Sequence, residues 1–122
     1  MKGKTLIIVP PCGTSATSYP PYGALYIGTY LQNKGYEVEV LNLDLERLSD
    51  IETLKRIEEY APDVVGFSAI VSNSYKYVKR FSWEIKKKFP KIFMLMGGQL
   101  SYASKVVLQN TPIDLVVIGE GE

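Results

Sequence analysis

The sequence predicts an α/β fold, a doubly wound five-stranded parallel sheet, from two observations. Short apolar runs recur at helix-length intervals, at residues 6–9, 64–67, 93–96 and 115–118. Three of these runs end in glycine, serine or alanine, and the first ends in a long loop rich in proline, serine and threonine. Continuous apolar runs of about four residues are typical of strands that are buried on both faces of a parallel sheet.

The first strand is predicted at residues 4–9, and the first helix is predicted to begin after Pro20 and Pro21, because proline suits a first helical turn. The buried stripe of this helix has i, i+3, i+4, i+7 spacing and consists of Ala24, Ile27, Gly28 and Leu31. Gly35 is expected to end the helix as its C′ residue. The second strand, residues 37–43, alternates valine with glutamate, which predicts a half-exposed edge strand.

The second helix is predicted to begin at a capping box formed by Ser49 and Glu52 and to run to about Tyr60, before Pro62. Its expected buried residues are Ile51, Leu54 and Ile57. The third helix is predicted at residues 74–88, with one face made of Tyr75, Val78, Ser82, Ile85 and Phe89.

The remaining strands are predicted at residues 64–69, 92–96 and 115–118, with a short fourth helix at 101–109. A single edge-like strand and right-handed crossovers favour the flavodoxin-like strand order 2-1-3-4-5.

The chain of 122 residues is long enough for one domain, residues 1–122. In this strand order a final helix would follow strand five, and it is missing from the chain. We therefore expect a fragment of a larger protein, in which strands three to five expose apolar surface on the side of the first helix. Because monomers rarely expose large apolar patches, we expect the fragment to self-associate through that surface.

Composition excludes several classes of function. The net charge of +1 gives no reason to expect nucleic acid as a partner. No apolar run approaches the roughly 20 residues of a membrane span, and the single cysteine suits a cytoplasmic protein. There is no histidine, so the commonest general base and nitrogen ligand are absent, and one cysteine cannot hold an iron–sulfur cluster. We predict no catalytic residue and no protein ligand to a metal in this chain.

Ligands of doubly wound sheets bind outside the carboxyl ends of the strands, so the candidate site consists of the residues that follow the strands. These are Cys12, Gly13 and Thr14 after the first strand, Ser68, Ile70 and Ser72 after the third, Gly97, Gly98 and Gln99 after the fourth, and Gly119, Glu120 and Gly121 after the fifth. Hydroxyl groups and glycines in such places bind phosphate or allow a ligand close to the backbone. The same residues also suit ordinary turns and helix caps.

Several landmarks occur in a specific order. They are Tyr-Pro-Pro-Tyr-Gly-Ala-Leu-Tyr-Ile-Gly-Thr-Tyr-Leu at residues 19–31, Gly-Tyr-Glu-Val at 35–38, Pro-Asp-Val-Val-Gly-Phe-Ser at 62–68, Gly-Gly at 97–98 and Asp-Leu-Val-Val-Ile-Gly-Glu-Gly-Glu at 114–122. Together they resemble the cobalamin-binding domain that precedes many radical S-adenosylmethionine (SAM) domains, as in methyltransferases and the anaerobic magnesium-protoporphyrin ester cyclases.

The resemblance implies a flavodoxin-like domain that holds the cobalamin nucleotide tail in a crevice at strands one, three and four. It also implies a partner, a downstream radical SAM domain of the same parent chain, which would bind SAM and an iron–sulfur cluster. The parent protein would then be an enzyme of the methyltransferase or oxidative cyclase type, while this chain alone would not be catalytic.

One departure from related cobalamin proteins concerns the cobalt ligand. The methionine-synthase and mutase branch has an Asp-x-His-x-x-Gly loop, where this chain has Pro10-Pro11-Cys12-Gly13. Three options follow: cobalamin binds without a protein lower ligand, it binds with its own base on cobalt, or corrin binding has been lost.

The alternative function is a flavodoxin-like electron carrier that binds flavin mononucleotide (FMN) through the hydroxyl-rich loop. A receiver domain is excluded, because Ser68 occupies the place of its phosphoacceptor aspartate.

Overall fold

The structure is a computed structural model that describes residues 3–11, 22–68, 74–97 and 104–117. Its elements follow one another as β1 (Lys4–Val9), α1 (Tyr22–Asn33), β2 (Glu37–Asn42), α2 (Leu43–Glu46), α3 (Asp50–Tyr60), β3 (Val64–Ser68), α4 (Tyr75–Lys88), β4 (Phe93–Gly97), α5 (Ser104–Asn110) and β5 (Leu115–Val116). Strands alternate with helices along the chain, as the spacing of the apolar runs predicts.

The five strands form one sheet in the order β2-β1-β3-β4-β5. All four strand pairs are parallel, and β1 lies between β2 and β3. The predicted topology is therefore confirmed, including the edge position of β2. Its exposed Glu37 and Glu39 alternate with the partly or fully buried Val38 and Val40.

The two faces of the sheet carry two separate cores. On the larger one, α3, α4 and α5 contribute apolar side chains that are essentially inaccessible to solvent: Ile57, Val78, Phe81, Ile85 and Val107. On the other face, α1 packs Ala24, Ile27 and Leu31 against Ile7 and Val9 of β1 and against β2. The predicted stripe of α1 is thus confirmed. α1 and α4 lie on opposite faces, and this arrangement defines a doubly wound sheet.

The two faces of β3, β4 and β5 differ sharply in exposure. On the side of α3–α5, Phe67 and Met94 are 1% and 0% exposed. On the side of α1, Phe93 and Leu115 are 43% and 48% exposed, and Val64 and Leu95 are partly exposed. We call the surface formed by Val64, Phe93, Leu95 and Leu115 the bare face. Its exposure was expected from the sequence, whereas self-association through it remains a prediction.

Two local signals in the sequence act as predicted. Gly35 adopts φ 92°, and Tyr36 N donates to Leu31 O at 3.1 Å, so α1 ends in a turn that requires a left-handed residue. At α3, the Ser49 hydroxyl accepts from Glu52 N while the Glu52 carboxylate accepts from Ser49 N. These two hydrogen bonds form the predicted capping box.

Three expectations from the sequence are wrong. Ile51 is 81% exposed and the buried residues of α3 are Ile57 and Thr53, both 0% exposed. Ile51 and Ile57 are six residues apart, so their side chains point about 120° apart around the helix. The second strand ends at Asn42, because Leu43 begins α2, a four-residue helix that was not predicted. Ile92 precedes β4, which begins at Phe93.

Element ends also differ slightly from the predictions. Ser74 is the N-cap of α4, and Gly97 belongs to β4. The predicted ends at Ala69, Ser101 and Ile118 lie outside the described residues.

Two aspartates fix the strands at the amino edge of the sheet. Asp63 accepts a hydrogen bond from Lys4 N through its carboxylate (2.9 Å) and donates its own N–H to Lys4 O (2.9 Å). Asp114 makes the same pair of bonds with Met94 N (2.9 Å) and Met94 O (2.8 Å). Each aspartate therefore sets the register between its strand and a neighbour before the ladder begins.

The packing of α3 predicts opposite results for two isoleucines of that helix. Ile57→Ala would leave a cavity in the main core, and we expect it to lower the free energy of unfolding by about 2–5 kcal/mol. Ile51→Ala, at a solvent-exposed position, should change it by less than about 0.5 kcal/mol. Urea denaturation of both variants measures the difference. Equal losses would contradict the orientation of α3 described above.

Tyr77 of α4 joins α3 and α4. Its ring stacks on Phe81 with centroids 5.4 Å apart, and Arg80 lies over the ring at 5.3 Å while it pairs with Asp50 of α3. Among the described residues, no group forms a hydrogen bond of good geometry with the buried Tyr77 hydroxyl. Burial, reinforced by the negative charge of Asp50, raises the pKa of Tyr77 well above its ordinary value of 10.0.

This raised pKa predicts a loss of stability at alkaline pH. As the pH rises, the unfolded chain releases the phenol proton before the folded protein does. The contribution of Tyr77 to stability is therefore fully present below about pH 10 and is lost as the pH rises above that value. We expect Tyr77→Phe to weaken this fall and to be neutral, or stabilising by up to about 1 kcal/mol, at pH 7, since an unpaired buried hydroxyl is removed. Thermal unfolding between pH 7 and 11 tests this, and an unchanged alkaline slope would contradict it.

Candidate functional site

The candidate site lies at the carboxyl edge of the sheet, between β1 and β3. From β1 the chain passes to α1 on one face, and from β3 it passes to α4 on the opposite face. Helices that follow adjacent strands on opposite faces of the sheet define a topological switch point, and ligands of doubly wound sheets bind at such a point. The described residues at the end of β1 are Val9 and Pro10, both buried, and Pro11, partly buried.

Three residues form a row along this edge on the side of α1, which we call the rim. Ser68 ends β3 and Gly97 ends β4, and the two are direct partners in the parallel register. Val117 follows β5 and donates its N–H to Met96 O at 2.8 Å. All three are partly exposed, so the rim combines a hydroxyl group, an uncovered stretch of backbone and an apolar side chain.

Gly97 is the informative member of the rim. Among the described glycines only Gly35 has a positive φ, so the backbone at Gly97 does not require glycine. A Cβ atom there would approach Val117 Cβ at 3.8 Å, an ordinary van der Waals distance. Neither the backbone conformation nor packing against the described residues requires the absence of a side chain at Gly97.

At the same edge of the sheet, but separated from β3 by β1, the end of β2 carries a charged pair that the sequence analysis missed. The Asn42 side chain caps α2 by accepting from Leu45 N at 3.3 Å. Arg47 follows α2 in a left-handed conformation, φ 51°. Its guanidinium donates to Asp44 Oδ1 at 2.8 Å and to Asp44 O at 2.9 Å. Asp44 itself is only 8% exposed. A four-residue helix is too short to leave a periodic signal, so only the structure identifies this pair.

Of the twelve residues that the sequence nominates, the structure brings Ser68 and Gly97 together. The others lie outside the described residues: Cys12, Gly13, Thr14, Ile70, Ser72, Gly98, Gln99, Gly119, Glu120 and Gly121. In the sequence, all ten stand within five residues after the end of a strand. Within the described ranges, no group of three or more acidic or cysteine side chains is placed to hold a metal ion, and no helix has the length and apolarity to cross a membrane.

Two characterised enzymes share sequence similarity with the chain. A cytidylyl-2-hydroxyethylphosphonate methyltransferase from Streptomyces wedmorensis is 32% identical over 120 residues, which cover 84% of this chain and 22% of the enzyme. An anaerobic magnesium-protoporphyrin IX monomethyl ester cyclase from Synechocystis is 31% identical over 107 residues, or 84% of this chain and 21% of the cyclase. The chain therefore spans only about a fifth of the length of these relatives.

Two solved structures share the fold. A cobalamin-binding protein from Desulfitobacterium hafniense matches 98% of this chain and 54% of its own length, with a TM-score of 0.74 and 16% identity. The radical SAM methyltransferase TsrM from Kitasatospora setae, with cobalamin and a [4Fe-4S] cluster bound, matches 80% of this chain and 18% of its own length, with a TM-score of 0.60 and 19% identity. At these identities the likeness concerns the fold.

The family assignment follows from the match over nearly the whole chain. The profile of the B12 binding domain matches residues 9–122, a range that includes every rim residue and every strand after β1. The strand order and the switch point between β1 and β3 agree with this assignment. The chain belongs to the B12-binding domain family.

Proposed function

We propose that residues 1–122 form the cobalamin-binding module of a larger protein that carries a radical SAM domain downstream. The observation that carries the proposal is Gly97 in the rim, a strand end where neither backbone conformation nor packing against the described residues requires glycine. Membership of the B12-binding domain family supports cobalamin as the ligand. The downstream domain is supported by the length of the sequence relatives, about five times that of the matched region, and by the fold shared with the radical SAM methyltransferase TsrM.

In this proposal Ser68 and Gly97 contact the nucleotide tail of the cofactor, and Gly97 lets the tail approach the backbone. The loops that follow the strands complete the site with Cys12, Gly13, Thr14, Ile70, Ser72, Gly98, Gln99, Gly119, Glu120 and Gly121. The described rim residues carry no charge. Such a surface suits the many amide groups of a corrin, which need hydrogen bonds more than ion pairs.

The chain contributes placement and not reaction chemistry. Cobalamin, when bound, supplies cobalt chemistry such as methyl transfer, and SAM with an iron–sulfur cluster would be held by the downstream domain. Without histidine in the sequence, the chain would bind cobalamin with no protein imidazole on cobalt. Buried Val9 and Pro10 at the base of the crevice would exclude water from the bound tail.

The ligand itself is the first test. Tag-free protein titrated with hydroxocobalamin should bind it, and the electron paramagnetic resonance spectrum of the Co(II) form should show no coordination by a protein imidazole, so that any nitrogen ligand is the cofactor's own base. A polyhistidine tag must be avoided, since it would supply the imidazole. FMN titrated in parallel is the control. Micromolar binding of FMN without corrin binding would replace this proposal with the flavodoxin-like electron carrier, and binding of neither ligand would indicate a domain that has lost its cofactor.

The role of Gly97 is tested by a matched pair of glycine substitutions. Gly97→Val should weaken hydroxocobalamin binding by roughly tenfold or more, because its methyl groups would occupy the space of the ligand. Overpacking of this kind typically costs about 1–3 kcal/mol, and about 1.4 kcal/mol corresponds to a tenfold loss of affinity. The free energy of unfolding should change by less than about 1 kcal/mol.

Gly66 of β3 is the control, since it lies on the same sheet face but away from the rim. A Cβ there would meet Leu95 Cδ1 at 3.2 Å, so Gly66→Val should lower stability by about 1–3 kcal/mol and leave the affinity of the folded protein unchanged. Isothermal titration and urea denaturation separate the two effects. Parallel losses of affinity and stability in Gly97→Val would show that Gly97 serves only the local structure at the end of β4.

A further inference from the structure

A groove opens at the amino edge of the sheet, at the end of the molecule remote from the rim. It lies between the turn that joins α3 to β3 and the turn that joins α4 to β4. Its volume is about 370 Å³, and it is open to solvent. Ligands of doubly wound sheets bind at the carboxyl edge, so a cofactor in the rim would leave this groove free.

The interior of the groove is apolar. Six of its eight lining residues have apolar side chains: Ile57, Ala61, Pro62, Phe89, Pro90 and Ile92. Ile57 and Ile92 belong to the main core and are 0% and 9% exposed. Because the floor of the groove is continuous with that core, an apolar side chain placed there would extend the core and remove further apolar surface from water.

The two walls of the groove are fixed relative to each other. Phe93 N donates to Asp63 O at 3.1 Å, which joins the turn before β3 to the start of β4. Within the second turn, Ile92 N donates to Phe89 O at 3.2 Å. Each turn also contains one proline, whose ring fixes φ. The groove is therefore already formed in the free protein, and a partner would bind without ordering it first.

Ala61 lies at an uncommon backbone position in one wall. It is the C-cap of α3 and has a left-handed conformation, φ 53°, in which glycine and asparagine are more usual. Since Ala61 lines the groove, a larger side chain here would take up part of the volume. Glycine and asparagine both tolerate this conformation, so the volume can be changed at this position without strain in the backbone.

The edge of the groove is basic. Lys91 and Glu58 are the charged lining residues. Glu58 pairs with Lys88 at 3.2 Å, and Lys86 Nζ donates to Pro90 O at 3.2 Å. Lys91 forms no salt bridge with any residue that the structure describes. Three lysines thus accompany one glutamate, an excess that outweighs the roughly half negative charge at each of the two helix ends.

This combination of an apolar floor and a basic edge suits an acidic peptide. Small-molecule sites typically bury about 70–90% of their ligand, which an open groove does not achieve, whereas an extended peptide needs only to insert its anchoring side chains. A membrane contacts protruding side chains, and here the apolar side chains lie at the floor of a concavity. Positive charge at the edge complements carboxylates that flank the inserted side chain.

We propose that the groove binds a short acidic peptide segment of a partner protein. A large apolar side chain of that segment would pack on Ile57, Phe89 and Ile92, and the flanking carboxylates would pair with Lys88 and Lys91. The partner would be held at the amino edge while the carboxyl edge remains available to a cofactor. The inference does not depend on the identity of that cofactor.

The probe for the test is the acetylated and amidated peptide Asp-Glu-Asp-Phe-Leu-Asp-Glu, titrated into the protein at low ionic strength. Saturable binding is expected, with shifts of the backbone amide resonances of Ala61, Lys91 and Ile92 in ¹H–¹⁵N spectra. Replacement of Phe-Leu by Ser-Ser in the peptide should weaken binding at least about tenfold, since the apolar anchor is lost. The same shifts should appear when hydroxocobalamin is present.

Two substitutions test the charge of the edge. Lys91→Glu should weaken peptide binding at least about fivefold, whereas Lys76→Glu should change it less than about twofold. Lys76 is the matched control, because it is an exposed lysine at the start of α4 and its replacement changes the net charge equally. Glu58→Gln should strengthen binding about twofold or more, since it releases Lys88 from its salt bridge and removes a repelling carboxylate.

The volume of the groove is tested at Ala61. Ala61→Asn should weaken binding at least about fivefold, because the amide would occupy part of the apolar space. Ala61→Gly, which leaves that space open, should keep the affinity within about twofold. Urea denaturation checks that both variants fold as stably as the parent protein. The substitutions of Lys91 and Glu58, at exposed positions, remain decisive if Ala61→Asn does not fold.

Four results would overturn the inference. They are the absence of saturable binding, amide shifts that lie away from the groove, equal affinities for the Phe-Leu and Ser-Ser peptides, and equal effects of Lys91→Glu and Lys76→Glu. Two further probes identify other occupants. Octanoate that binds the groove as tightly as the peptide would assign it to small apolar carboxylates. Phosphatidylglycerol vesicles that sediment with the parent protein but not with Lys91→Glu, without peptide binding, would assign it to a membrane surface. Either result would replace the peptide proposal.

Discussion

The structure depends on the common direction and register of its five strands. Parallel pairing brings every strand end to one edge of the sheet, and the order β2-β1-β3-β4-β5 places β1 at the point where the connections diverge. Ser68 and Gly97 become neighbours only because β3 and β4 pair in one specific register. A slip of one residue would turn Ser68 to the opposite face of the sheet and separate the rim.

The two neighbouring registers, β1–β3 and β4–β5, are held at the end of the sheet remote from the rim. The carboxylates of Asp63 and Asp114 accept hydrogen bonds from backbone N–H groups of β1 and β4, respectively. Asp63 and Asp114 belong to the sequence motifs at residues 62–68 and 114–122 but not to the candidate site. From the opposite edge of the sheet, the two aspartates contribute to the site by aligning the strands whose ends form it.

The two surfaces that the fold leaves incomplete differ in chemistry. The rim offers a hydroxyl group and open backbone, and it suits a polar ligand with many hydrogen-bonding groups. The bare face offers apolar side chains and no charge, and it suits another element of protein.

Much of this arrangement is encoded locally and was predictable from the sequence. The apolar runs specify buried strands, the Ser49–Glu52 capping box begins α3, and Gly35 ends α1, since each depends on residues within one or two turns. The same holds for the alternation of valine and glutamate in β2. The order of the strands follows from that one edge-like strand together with the handedness of the crossovers. Gly97 and Ser68 could be nominated because both follow apolar runs.

Other features were decided only by tertiary packing. Which side of α3 faces the core depends on how the helix is rotated over the sheet, and Thr53 is buried there while Ile51 is exposed. The four-residue α2 forms because Leu43 is drawn into the main core and Asn42 caps the turn. The pairing of Asp44 with the left-handed Arg47 follows from that turn. Local sequence determined where strands and helices form, whereas contacts between elements distant in sequence decided which side chains they bury and which surfaces remain for a ligand and a partner.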